Sequence, residues 1–235
     1  MSATVIGVVS PRSNDSVPSE GPGLYPGVKF IARGVGVKAL TPEGYDAAWD
    51  NIVPAAVALA KEGATAILVH GASLTFYRGH AAHEKLLADV RAATGLPATT
   101  MSAAMVEGLR HLGVKKIGVC TAYSDEINDR LREFLAAEGF DVLALEGFDI
   151  KEFGAAAKKT DEDIVELADK VSAEAPRAES LLISCGGLRT LEAGKRVEAK
   201  HGVPVVSSTE SAYWAAVRMV GESGRCPGYG RLLES

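Results

Sequence analysis

Ile6-Gly7-Val8-Val9-Ser10 and Ile117-Gly118-Val119-Cys120-Thr121 stand 111 positions apart and share one pattern: a glycine inside an apolar run. Ala66-Ile67-Leu68-Val69-His70-Gly71 resembles Ser180-Leu181-Leu182-Ile183-Ser184-Cys185 at an offset of 114. A third pair, Gly95-Leu96-Pro97 leading to Thr100-Met101-Ser102 and Gly202-Val203-Pro204 leading to Ser207-Ser208-Thr209, is offset by 107. Three matches in the same order at nearly constant spacing indicate two similar lobes. Residues 1–97 with 207–235 are assigned to the first and 98–206 to the second.

Between these runs, short β-branched stretches alternate with segments of helical period, as in βα units that build parallel sheets. Strands are expected at Thr4–Val9, Val28–Ile31, Ala66–His70, Lys116–Cys120, Val142–Leu145, Leu181–Ser184 and Val203–Val206. Helices are expected at Pro42–Lys61, His80–Ala93, Ser102–Leu112, Asp125–Glu138, Asp161–Ser172, Leu188–His201 and Ser208–Val220. Most open on Ser, Thr, Asp or Pro, and several close on Gly.

Composition narrows the function. The 235 residues are 47% hydrophobic and 23% charged, as in ordinary globular proteins. A net charge of −5 with no basic stripe argues against nucleic acid as a partner. No apolar stretch approaches the ~20 residues that span a bilayer, and no secretory leader is read at the N-terminus. Three cysteines, Cys120, Cys185 and Cys226, are an odd number in no metal-binding spacing, which points to a reducing cytoplasm and no structural metal. No GxGxxG follows the first strand, so a dinucleotide is not expected.

In open parallel sheets ligands bind beyond the carboxyl ends of the strands. The turns to read are therefore Ser10-Pro11-Arg12-Ser13-Asn14, His70-Gly71-Ala72-Ser73, Thr121-Ala122-Tyr123-Ser124 and Ser184-Cys185-Gly186-Gly187. Cys185 precedes two glycines and a helix, where free amides favour negative charge. The repeat makes Gly71 and Cys185 equivalent positions facing each other across a cleft. A tight turn holding a buried Cys fits Ser-Cys-Gly-Gly equally well; the hydroxyls of Ser73 and Tyr123 from two other strand ends weigh toward a carboxylate site. Cys120 is expected in the core, and His70 is read as more often structural than catalytic.

Thr41-Pro42-Glu43-Gly44-Tyr45-Asp46, Gly71-Ala72-Ser73-Leu74-Thr75-Phe76-Tyr77-Arg78-Gly79, Thr121-Ala122-Tyr123, Leu182-Ile183-Ser184-Cys185-Gly186-Gly187-Leu188 and Pro227-Gly228-Tyr229-Gly230-Arg231-Leu232 together resemble arylmalonate decarboxylase, of the aspartate/glutamate racemase superfamily. The resemblance runs from about Ile6 to the C-terminus. It implies an α/β fold of two pseudo-symmetric lobes, each a parallel four-stranded sheet flanked by helices. It also implies a cofactor-free site in the cleft that takes a small carboxylate substrate. Racemases of the superfamily carry one Cys in each lobe; here Gly71 replaces the first and Cys185 remains, so a planar intermediate receives its proton from one face only. Gly71, Ala72, Ser73, Tyr123, Gly186, Pro11, Asn14 and Tyr45 are the implied substrate and oxyanion contacts.

Two departures from the family pattern matter. Ala72 stands where the family usually has Thr, removing one hydroxyl from the oxyanion pocket. The Pro-x-Ser-Asn element ending in Asn14 is similar to the maleate isomerase branch, where such an Asn binds substrate carboxylate. A diacid racemase or cis–trans isomerase, with His70 as second acid/base, and a non-catalytic carboxylate-binding protein are thus the alternatives. The symmetry argument has a direct test: Gly71→Cys should let the protein exchange the α-proton of a chiral arylpropionate from both faces, read by chiral chromatography. Persistent enantiomeric purity in a folded, ligand-binding variant would count against facing positions.

Overall fold

The computed structural model describes residues 4–235. Residues 1–3, part of the first-lobe assignment and of the leader reading, lie outside it. The chain runs β1 (Val5–Ser10), α1 (Glu20–Leu24), β2 (Lys29–Gly34), α2 (Pro42–Trp49), α3 (Ile52–Lys61), β3 (Ala66–Val69), α4 (Ala72–Phe76), α5 (His80–Thr94), β4 (Ala98–Thr100) and α6 (Met101–His111). It continues through β5 (Lys116–Thr121), α7 (Asp125–Ala137), β6 (Asp141–Gly147), α8 (Asp161–Glu174), β7 (Ser180–Ser184), α9 (Leu191–His201), β8 (Val205–Ser207), α10 (Ser208–Met219) and α11 (Arg231–Glu234).

Two four-stranded sheets form, ordered β2-β1-β3-β4 and β6-β5-β7-β8, and every paired strand is parallel. The two orders are the same permutation, so the offsets seen in the sequence correspond to equivalent strands. β1 and β3 are buried along their whole length, as is β7, and only the first residue of β5 is exposed. That is expected of parallel strands covered by helices on both faces, and it explains their unbroken apolar runs. The outer strands β2 and β6 are only partly covered.

The strand missed by sequence reading is β4, three residues long and too short to show a period. It pairs with β3 through Ile67–Ala98, Leu68–Thr99 and Val69–Thr100, so the first sheet extends to Thr100. The boundary expected after residue 97 falls three residues too early. The single helix expected over Pro42–Lys61 is two, α2 and α3, with Asp50 and Asn51 between them. Pro54 has no N–H to offer the carbonyl four residues earlier, and its ring crowds that turn, so the helix restarts. Elsewhere the local signals hold. Thr41 caps α2 by accepting from the Gly44 amide, Thr100 caps α6 by accepting from Ala103, and Thr160 with Asp163 forms a reciprocal capping box on α8.

α6 and α10 pack on each other between the sheets, and residues Ser208–Val217 of α10 are all buried. Across the mouth of the cleft, Ala39 bridges Glu152 and the Leu40 amide donates to the Lys151 carbonyl at 2.8 Å. Gly44 in α2 lies so close under this strap that a methyl there would run into the Ala39 carbonyl oxygen. Gly44→Ala should therefore cost about 1–3 kcal/mol despite the better helix propensity of Ala. Urea unfolding measures this; an unchanged or raised midpoint would show that the strap gives way freely.

Candidate active site

Three of the four strand-end turns, those at Ser10, His70 and Cys185, line a cavity of about 700 Å³ in the cleft. From the first lobe Pro11, Tyr45, Gly71, Ala72 and Ser73 line it; from the second come Cys185 and Gly186. Two of the expected contacts do not line it. Asn14 is exposed, and its carboxamide oxygen takes the amide of Ser16 at 3.2 Å and the hydroxyl at 2.5 Å. That oxygen is engaged within its own turn. Tyr123 is fully buried one layer behind the wall, its hydroxyl 3.3 Å from Ser184 Oγ and beside Ser73 and Cys185.

Gly71 follows β3 with φ = 113°, a conformation in which an L side chain is strained. Space is not the difficulty, since a Cβ there meets Leu74 Cβ at 3.4 Å and Pro11 Cβ at 3.6 Å. The turn leads straight into α4, where Thr75 Oγ1 lies 2.6 Å from Ser102 Oγ, and both hydroxyls reach the Ala72 carbonyl at 3.0 Å. This buried network fixes the backbone on which Ala72 and Ser73 sit. The signal for it was absent from the sequence, because Thr75 and Ser102 come together only through packing of α4 on α6.

In the second lobe the structure corrects one expectation. The helix after Cys185 starts at Leu191, not Leu188, so α9 does not begin at the sulfur. Residues 185–190 form an irregular turn instead. The Gly187 amide lies 3.4 Å from Cys185 Sγ, and the Leu188 amide donates to the Cys185 carbonyl at 3.0 Å. Burial pushes the thiol pKa up from its ordinary value; the Gly187 and Leu188 amides and the Tyr123 hydroxyl offset only part of that. Cys185 is thus a protonated thiol at neutral pH. Cys120 lies in β5 within the core, where burial pushes its pKa up to about 12.

The polar groups around the thiol are held neutral as well. Burial raises both Tyr45 and Tyr123 above the ordinary tyrosine range. The Tyr45 hydroxyl sits near Ser73 without making a hydrogen bond. His70 is buried at the cavity wall with neither ring nitrogen hydrogen-bonded, and burial lowers its pKa to about 3. It is a neutral imidazole, packed with Cε1 toward Gly186 and its ring 5.9 Å from that of Tyr213. Apolar side chains complete the cavity, among them Val37, Leu40, Leu74, Ala156 and Leu188. Ala156 belongs to a 3-10 turn, Ala155–Lys158, on a segment to which the sequence reading gave no role.

The arylmalonate decarboxylase family model matches residues 6–233. An arylmalonate decarboxylase of Bordetella bronchiseptica is 43% identical over 234 residues, covering 99% of this chain and 98% of its own. A maleate isomerase of Nocardia farcinica is 28% identical over 243 residues, covering 97% and 94%. Among solved structures, a liganded arylmalonate decarboxylase variant with one Gly-to-Cys and one Cys-to-Ser exchange superimposes with a TM-score of 0.97. It is 42% identical and covers 99% of both chains. The family match and the 43% identical full-length relative make this a carboxy-lyase type of enzyme. The chain belongs to the arylmalonate decarboxylase family.

The raised thiol pKa is open to chemical measurement. Modification of Cys185 by iodoacetamide, followed on its own peptide by mass spectrometry, should be slow at pH 7 and keep accelerating beyond pH 9. A rate that levels off below pH 8 would mean a thiolate is present at neutral pH.

Proposed function

We propose that this enzyme decarboxylates α-substituted malonates, aryl-bearing ones included, and returns a proton to the α-carbon from Cys185. The observation that carries the reading is a single protonated thiol at the cavity, opposite a glycine at the equivalent strand end. One malonate carboxylate is held by the Ser73 hydroxyl and by free amides at the start of α4 and at Gly186. The other points to the apolar wall. There it is poorly solvated, which favours breaking its bond to the α-carbon. Carbon dioxide departs, the bonding pair enters an enediolate, and the donors that held the first carboxylate now meet a larger charge.

Cys185 then gives its S–H proton to the α-carbon, and the thiolate recovers a proton from water. Because the donor is on one face, a single enantiomer of the monoacid results. The Tyr123 hydroxyl, beside Ser73 and Cys185, is a further donor for the carboxylate and the enediolate, and Tyr45, Pro11 and Ala72 shape the pocket. The steps use groups of the chain and water, and we read the enzyme as cofactor-independent and cytoplasmic. Isomerisation of a small diacid is less well supported: the position opposite Cys185 is glycine, and neutral His70 has both nitrogens buried.

Cys185→Ser should lower kcat for phenylmalonate by roughly 10²–10⁴-fold. Cys120→Ser, out of reach of the cavity, should leave it within a few-fold. Carbon dioxide release and the enantiomeric ratio of product report the result, with maleate and aspartate as parallel substrates. Near-normal turnover by Cys185→Ser would remove the proton-donor assignment, and isomer formation from maleate would shift the reading to the isomerases.

A further inference from the structure

The turn that carries Cys185 is gripped at both ends by the first turn of α10. At its start, the Cys185 amide donates to Ser208 Oγ at 3.1 Å. At its end, Thr190 Oγ1 lies 2.8 Å from both carboxyl oxygens of Glu210. Thr190 occupies the N-cap of α9, where a threonine normally accepts from the helix's own amides, yet it makes no such cap. Its hydroxyl is diverted to Glu210 instead. The local stabilisation of α9 is given up for a contact between α10 and the wall of the cavity, to which Thr190 belongs.

Glu210 stands in the first turn of α10, where a carboxylate suits the helix end, but it is only 7% exposed in a wholly buried helix start. The charged groups on the elements around it do not neutralise it. Glu20 of α1 adds like charge. Lys195 and Glu198 of α9, with Tyr229 of the tail, line a small cavity that Glu210 shares. Of these, Lys195 pairs with Glu192 at 2.7 Å, while Glu198 takes Arg231 at 3.3 Å and the Val205 amide at 3.0 Å. A hydroxyl has one proton, so an ionised carboxylate receives a single bond from Thr190, shared between its two oxygens. A protonated carboxyl can return a bond to the Thr190 oxygen and satisfy both.

We propose that Glu210, in its protonated form, is a positioning residue of this enzyme: with Ser208 it pins the Cys185–Thr190 turn so that the thiol and the Gly186 amide keep their aim at the substrate. The proposal rests on the assignment of Cys185 as proton donor. Burial raises the Glu210 pKa from 4.5 to about 7, so the clamp loosens within the working range of pH. The sign is definite. The folded state holds this proton more tightly than the unfolded chain, so the associated stability is fully present below about pH 4.5 and is lost as pH rises through about 7.

The experiment is decarboxylation of phenylmalonate from pH 5.5 to 9 by the wild type, Glu210→Gln and Glu210→Ala, with kcat and KM separated. The wild type should lose kcat as pH passes about 7. Glu210→Ala should lower kcat at every pH, on the order of tenfold, with a much smaller change in KM. Glu210→Gln, whose amide donates and accepts like the protonated acid, should recover most of that loss and lack the step near pH 7. A step retained in Glu210→Gln, or an unchanged kcat in Glu210→Ala, would overturn the proposal. If the alanine variant does not fold, the glutamine profile alone decides. Should Cys185→Ser prove active, the proton-donor reading fails by itself. The clamp is then read from the infrared carbonyl band of the buried acid and from the fall in Tm between pH 4.5 and 7, both of which Glu210→Gln must abolish.

Discussion

Parallel pairing of β3 beside β1, and of β7 beside β5, is the constraint from which the rest follows. When all strands of a sheet run the same way, their carboxyl ends lie on one edge and each connection must return over a face as a helix. Each lobe therefore gathers its strand-end turns on one side, and the two lobes present those sides to each other. Residues separated by more than a hundred positions, Gly71 and Cys185, line one cavity because β3 and β7 hold the same rank in their sheets.

The groups next to the sulfur are neutral, while Arg12, Glu20, Asp161, Arg189 and Glu192 carry charge elsewhere on the cavity lining. The thiol and two phenols are protonated and the imidazole is neutral, each because burial penalises its charged form. A helix N-terminus at the sulfur would have favoured thiolate. The irregular turn from Cys185 to Thr190 keeps α9 back from it.

Local rules are broken mainly where the cleft is. Gly71 sits at a φ open to few other residues, Thr190 forgoes its cap, Glu210 is buried without a cation, and His70 is buried without a hydrogen bond. In the body of each lobe the opposite holds, with caps, glycine stops and apolar strands agreeing. Such conflicts concentrate at functional sites because tertiary packing there overrides what each segment prefers by itself.

The amino-acid sequence determined the lobes and the turns. Apolar runs of strand length, spaced by helical segments and repeated with similar offsets, specify parallel βα units through burial alone, and the Gly71/Cys185 asymmetry is legible from that repeat. Tertiary structure decided what the turns do. It broke one helix at Pro54, added β4 to the first sheet, withdrew Asn14 and Tyr123 from the cavity wall, and set Thr190 against Glu210. None of these has a periodic signal, since each depends on a contact between segments far apart in the chain. The pKa of a thiol or carboxyl likewise depends on how much water its neighbours exclude, which is a property of packing.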